Sequence, residues 1–346
     1  MKLFVIFVLL VGLAFPVSAE PITAPPVTGE AATFMPQEMP SFGEGLWYIL
    51  KTAVQTLRPD FGRSYRICLS VVGIAVLVSL LHSFSSKTSD LANMAGVLGA
   101  GAVLLGTANT LIHTATQTVR QISSYGKLLL PVMTAAVAAQ GGTVSAAALY
   151  TGTAFFDALL GTVISALLVP LVYLFLALVI GYSAIGENSL KRLRDFMKWL
   201  ITWAMKTILY VFTGYISISS LITGGADKAA LKAAKLTISS AVPVVGGIMS
   251  DASETILLGA GVVKNAAGVY GVLAVLAILI LPFLKVGILF LLLKVTAAIC
   301  GLFPAGKIHD VVQGFSDAMG FLLGMTGTVS LLFLISIVCF LKGVSS

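Results

Sequence analysis

The chain has 346 residues, is 58% hydrophobic and only 10% charged, and has a mean hydropathy of +1.03. Soluble domains carry about 25% charged residues, so these values exclude an ordinary water-soluble enzyme and point to one membrane domain with a short exported extension. The net charge of +7, or +6 without Lys2, comes from basic residues set mostly at the ends of apolar runs, where they meet lipid headgroups; no nucleic-acid motif accompanies them, and no nucleic-acid partner is expected.

Residues 1–19 read as a signal peptide. Lys2 supplies a basic start, residues 3–15 an apolar core, Pro16 a helix break, and Val17, Ser18 and Ala19 the small residues before a cleavage site. The stretch is short for a span, and cleavage after Ala19 places the following tail outside the cytoplasm. Residues 20–65 form that tail. Its first half, with Pro21, Pro25, Pro26, Pro36 and Pro40, is extended. Its second half sets Leu46, Leu50, Ala53, Val54 and Leu57 on one helical face, beside Trp47 and Tyr48. That pattern fits an amphipathic helix lying on the membrane surface, or one docked on the membrane domain.

The membrane domain, residues 66–346, is expected to be an all-α, polytopic helical bundle. Seven spans fall near 67–84, 91–112, 159–184, 199–222, 266–282, 286–304 and 318–341, each close to the ~20 residues that cross hydrocarbon. Pro282 and Lys285 separate the fifth and sixth, which predicts a tight hairpin there. Two further apolar regions are interrupted: 128–156 at Gln140, Gly141 and Gly142, and 229–263 at Pro243, Gly246 and Gly247. Their halves are short and their Gly and Pro free backbone groups that lipid cannot satisfy, so they read as re-entrant or broken-helix hairpins facing protein or water. Each precedes an apolar helix carrying Pro170 or Pro282, a pattern that fits either an inverted repeat or two unrelated Gly-rich packing segments.

Lys191, Arg192, Arg194 and Lys198 form the most basic loop and are placed in the cytoplasm. With seven crossings Lys342 is also inside, while Arg58, Arg63 and Arg66 sit against the trend on the outer side. Cys68, Cys300 and Cys339 lie within apolar runs, and His82, His113 and His309 are dispersed; neither set has metal or redox spacing, and no cofactor is expected. The spacing of Gly301, Gly306 and Lys307 imitates a phosphate-binding loop, but Ile308 stands where magnesium needs a hydroxyl, and no strand precedes it. No motif for catalysis is present, so an enzyme is not expected.

Charges at membrane depth carry the functional interest. Asp251 and Glu254 share a face just after the second Gly-Gly break, with Lys264 further along. Lys294 falls near the middle of an apolar helix, where an ammonium must face the bundle interior or a wet cavity, or else snorkel to an interface. Asp251 or Glu254 is its expected partner. Lys228, Lys232 and Lys235 repeat at helical spacing and suit anionic headgroups or an acidic partner. Gly320 and Gly324 form a GxxxG element in the last span.

Specific runs carry a resemblance. They are Gly141-Gly142-Thr143-Val144-Ser145-Ala146-Ala147, the stretch from Gly214 to Leu236, Ala241-Val242-Pro243-Val244-Val245-Gly246-Gly247, Ser250-Asp251-Ala252-Ser253-Glu254-Thr255, and Val263-Lys264-Asn265-Ala266-Ala267-Gly268-Val269-Tyr270-Gly271. With Pro282, Lys285 and Lys294, they resemble the stage III sporulation protein AE family, most clearly over roughly 125–300. The resemblance implies a component of the membrane around the engulfed forespore, within a channel or secretion-like complex joining mother cell and forespore. It implies as partners other stage III sporulation membrane proteins and a secretion-type ATPase, and for this chain the role of permease-like core. It supplies no catalytic residues. The alternatives are an independent secondary transporter using the two interrupted hairpins, and a scaffold that conducts nothing.

Overall fold

The computed structural model describes the backbone of residues 24–36, 42–84, 89–241, 246–303 and 306–342, with side chains described there except at 82–84, 89, 219–241, 246–264, 306 and 342. Among the described residues the chain forms eight α-helices and no strand. They are α1 (Phe42–Thr56), α2 (Arg58–Phe84), α3 (Ser89–Ala139), α4 (Thr143–Thr162), α5 (Val169–Ile185), α6 (Asn188–Ala241), α7 (Gly246–Cys300) and α8 (Gly306–Lys342). A 3₁₀ turn, Gly29–Phe34, precedes α1, and a π-helical segment, Val163–Leu168, joins α4 to α5.

Six rods are long and apolar enough to cross a bilayer, α4 and α5 counting as one. The all-α, polytopic expectation therefore holds, but the hairpin expected at Pro282 does not form. Spans 266–282 and 286–304 are one helix, α7, with Pro282 inside it. Proline removes one helical hydrogen bond, to the carbonyl of residue 278, and a membrane helix tolerates that when neighbours pack around the break. Losing one reversal also changes the parity. The end of α8 and the start of the bundle, expected on opposite sides, lie at the same end of α7: Gly268 meets Leu341, and Gly45 of α1 meets Leu273.

The first interrupted region also differs from expectation. Its break lies where the glycines put it, yet its arms belong to long rods. α3 has 51 residues, about 75 Å at 1.5 Å per residue, against a hydrocarbon thickness of about 30 Å. Residues 113–127 look like a polar loop by hydropathy. They stay helical because Ala108, Ile112, Ala115, Val119, Ile122, Tyr125 and Leu129, recurring at three or four, are all buried. The rod ends in a Schellman turn: Gly142 N–H donates to the carbonyl of Val137 and Gly141 N–H to that of Ala138. Gly141 has φ of 88°. Gly141→Ala should therefore cost about 1 kcal/mol in that left-handed conformation, read as a lowered melting temperature of the full chain in detergent; an unchanged value would show that the turn tolerates a Cβ.

The α4–α5 rod accommodates Pro170 through its π turn, since the proline ring crowds the carbonyl four residues back and a wider turn relieves it. Gly186, with φ of 84°, ends α5 and reverses the chain into α6. The second predicted break falls at 242–245, so Pro243 lies outside the described residues; α6 runs up to it and α7 starts at Gly246.

The centre of the bundle is α8. Of its apolar window 61% is buried, against 22% to 39% in the other five rods. Lipid supplies little hydrophobic drive for helix association, so close approach at small residues matters. Gly314 receives Val179 of α5 and Gly126 of α3 receives Phe333 of α8. The two glycines of the GxxxG element face different partners: Gly320 approaches Phe290 of α7 and Gly324 approaches Met205 of α6. Helix α1 docks on α7 through Gly45, Ile49 and Ala53, leaving Trp47, Tyr48 and Val54 exposed.

Candidate functional site

The described ion pairs between helices involve α7 and α8 most. Lys285 and Lys294 are nine residues apart, about 900° of helical rotation, so they leave α7 on opposite sides. Lys294 reaches α8, where its Nζ lies 3.5 Å from Asp317 Oδ1 and 5.7 Å from the centre of the Phe290 ring. Lys198 of α6 donates to Asp317 Oδ2 at 2.6 Å, and Gln313 Nε2 donates to Oδ1 at 3.0 Å. One carboxylate thus serves two ammonium groups from two helices. The cluster carries a net charge of +1 if all three groups are ionised, and it clasps α6, α7 and α8.

On its other side α7 is tied to α2 by Lys285 Nζ and Asp60 Oδ2, 3.2 Å apart. This pair stands in an open groove of about 350 Å³, lined also by Arg63, Thr107, Thr110 and Thr114. A third polar contact is more deeply enclosed. Asp157 of α4, 5% exposed, accepts a 2.6 Å hydrogen bond from Ser123 of α3. Nearby, Thr153 and Ser336 share a buried 2.8 Å hydrogen bond between α4 and α8. Apart from the Gln313–Asp317 bond within α8, these contacts cross between helices, which is one way polar groups in an apolar bundle keep their hydrogen bonds.

The predicted site residues divide accordingly. Lys294 does face a carboxylate within the bundle, but that carboxylate is Asp317. Gln140, Gly141 and Gly142 form the α3–α4 turn, with the Gln140 Oε1 atom enclosed and without a hydrogen-bond partner among the described groups. Gly246, Gly247, Asp251, Glu254 and Lys264 lie on the described backbone of α7, but their side chains, like those of Lys228, Lys232 and Lys235, are outside the described set.

Sequence reading missed Asp317, Asp60 and Asp157. Asp317 stands one residue outside a predicted span and passes for a boundary residue, and Asp60 falls within the predicted tail. Asp157 carried a usable signal, being the only carboxylate between Asp90 and Glu187.

Long apolar rods, closed on each other at glycines and tied by interhelical polar contacts, define a multi-pass helical membrane protein. The chain matches the family described as stage III sporulation protein AE over residues 37–343. It belongs to that family and is a membrane component in a sporulation context. It is also similar to the stage III sporulation protein AE of Bacillus subtilis (strain 168), 26% identical over 233 residues that make up 67% of this chain and 58% of that relative. The chain thus matches less than two thirds of the relative's length. No solved structure matches it.

Proposed function

We propose that this chain is the permease-like core of a channel or secretion-like complex that joins mother cell and forespore during endospore formation. The observation that carries the reading is the family match over 37–343, on a bundle that keeps a Lys–Asp–Lys cluster among helices apolar enough to span a bilayer. Charged groups at such depth are costly and mark solute or ion routes more often than packing sites. The chain acts by conduction rather than catalysis. Its partners are other stage III sporulation membrane proteins and a cytoplasmic secretion-type ATPase, in the mother-cell membrane that surrounds the forespore. The tail before α1 lies outside the cytoplasm; six crossings then keep Lys191, Arg192, Arg194 and Lys198 inside and bring Lys342 outside.

A fluorescent fusion of the full chain tests this placement. The expected signal encircles the engulfed forespore, and cells lacking the gene stall after engulfment with late forespore gene expression failing. A fusion spread evenly over all membranes, in cells whose spores form normally without the gene, would falsify the proposal.

A further inference from the structure

The long rod α3 changes character along its length. Its first twenty residues expose Leu91, Met94, Leu98, Val103 and Leu105. Beyond them Thr110, His113, Gln117, Gln121 and Ser124 are all exposed, and at 100° per residue they fall within an arc of about 80°. Arg120 and Lys127, also exposed, border this arc on one side. From Thr110 to Lys127 the polar face is about 26 Å long, close to the ~30 Å of a hydrocarbon core.

Its height in the bundle makes the face unusual. Two hydrogen bonds bind α3 to the neighbouring rod: Ser123 to Asp157, and Tyr173 Oη to Asn109 Oδ1, both 2.6 Å. Residues 109–123 therefore run beside 157–173, part of a rod whose apolar window has a mean hydropathy of 2.8, equal to the highest among the described rods. At that height the neighbouring rod exposes Leu159 and Leu167. One level of the molecule thus presents a mainly apolar surface on α4–α5, where the hydroxyls of Thr162 and Ser165 bond back to their own helix, and a charged and amide-rich one on α3. A level immersed in water would not favour the first, and acyl chains would not accept the second.

Two openings lie along the face. The lower is the Asp60–Lys285 groove; the upper, about 270 Å³, is lined by Gln117, Arg120, Gln121, Ser124 and Tyr125, and by tail residues 26–29. Tyr125 is 5% exposed and its hydroxyl has no hydrogen-bond partner among the described groups. Ile278 borders the same opening, and Pro282 cannot donate the helical hydrogen bond to its carbonyl. A buried hydroxyl left without a partner beside an opening calls for water. We propose that the polar face of α3 is one wall of a water-filled passage at membrane depth, suited to small anionic solutes, with tail residues 26–29 at its mouth. Arg63, Arg120, Lys127 and Lys285 outnumber Asp60 and Asp157 along it, and basic linings favour anions. The inference rests on the conduction reading and adds a surface on the side of α7 away from the Asp317 cluster.

Single cysteines in the full chain, with Cys68, Cys300 and Cys339 replaced by alanine, provide the test. Gln117→Cys and Ser124→Cys report the α3 face, and Leu159→Cys and Leu167→Cys report the apolar face at the same height. Membrane vesicles are treated with membrane-impermeant thiosulfonates, one anionic and one cationic. The expected result is modification of the α3 positions alone, with the anionic reagent favoured several-fold relative to its rate on a free thiol. Silence at Gln117 and Ser124 would overturn the passage, and equal reaction at all four positions would place this level outside the bilayer. Preference for the cationic reagent would overturn the solute class. Labelling confined to α3 in a strain whose Asp317 variants sporulate normally would separate a sound passage from a failed conduction role.

Discussion

Asp317→Asn is expected to abolish the formation of heat-resistant spores while the protein still accumulates in the membrane. The substitution preserves shape and leaves an amide oxygen for Gln313, but it removes the negative charge that faces both Lys198 and Lys294. Two ammonium groups then share one site without a counter-charge. Breaking a fully buried ion pair costs about 3–5 kcal/mol. Here Lys198 and Lys294 are 49% and 40% exposed, so screening lowers the figure to about 2 kcal/mol, roughly thirtyfold in an equilibrium. Loss of stability on that scale reduces the amount of protein only partly, whereas loss of the charge acts on conduction directly.

Asp317→Leu goes further and should lower accumulation as well. Adding Lys294→Leu removes the second charge and should restore accumulation, since replacing both partners of a pair by apolar groups is close to neutral. Lys198, nearly half exposed, can turn its head group towards water. Spore counts should stay low in the double variant. Immunoblots of the membrane fraction beside counts of heat-resistant spores read both effects. Normal sporulation of Asp317→Asn would reduce the cluster to a structural clasp and favour the scaffold reading.

The second large effect is steric. Gly126→Val should stop the chain from accumulating, because a Cβ at Gly126 points into the ring of Phe333, itself 1% exposed on the central helix α8. Overpacking of a tight core costs about 1–3 kcal/mol and more when the neighbour cannot rotate away. Phe333→Leu vacates part of that volume, so the pair Gly126→Val with Phe333→Leu should recover a measurable share of the protein. Recovery is read in detergent-solubilised membranes, by the fraction that elutes as a single species. Full accumulation of Gly126→Val alone would mean that α3 and α8 do not approach as closely as described.

Much of this molecule is visible in its hydropathy. The membrane class, the all-α architecture, the positions of the first four predicted spans and the last, and the break at Gln140–Gly142 follow from apolar runs and from glycines. These depend on interactions within a few turns of helix or with the surrounding solvent. The boundary between rod and loop was less legible. Residues 113–127 carry too many polar groups to read as a span, and they remain helical because a neighbouring face buries Ile112, Val119 and Ile122. Pro282 marks a reversal in the sequence but not in the structure, where packing on both sides of α7 holds the helix together.

The candidate site shows the same division. Lys294 was legible as a charge in need of a partner, because the cost of an ammonium in hydrocarbon depends on little beyond its depth. That the partner is Asp317, shared with Lys198, depends on which helices stand side by side, and sequence spacing has no access to that across more than a hundred residues. The sequence alone thus determined that this chain lives in a membrane and that it holds charge there. Only the tertiary structure decided which carboxylate meets Lys294, and that the polar face of α3 lies level with an apolar one. Both outcomes arise from contacts between rods, where packing, and not solvent transfer, sets the neighbours.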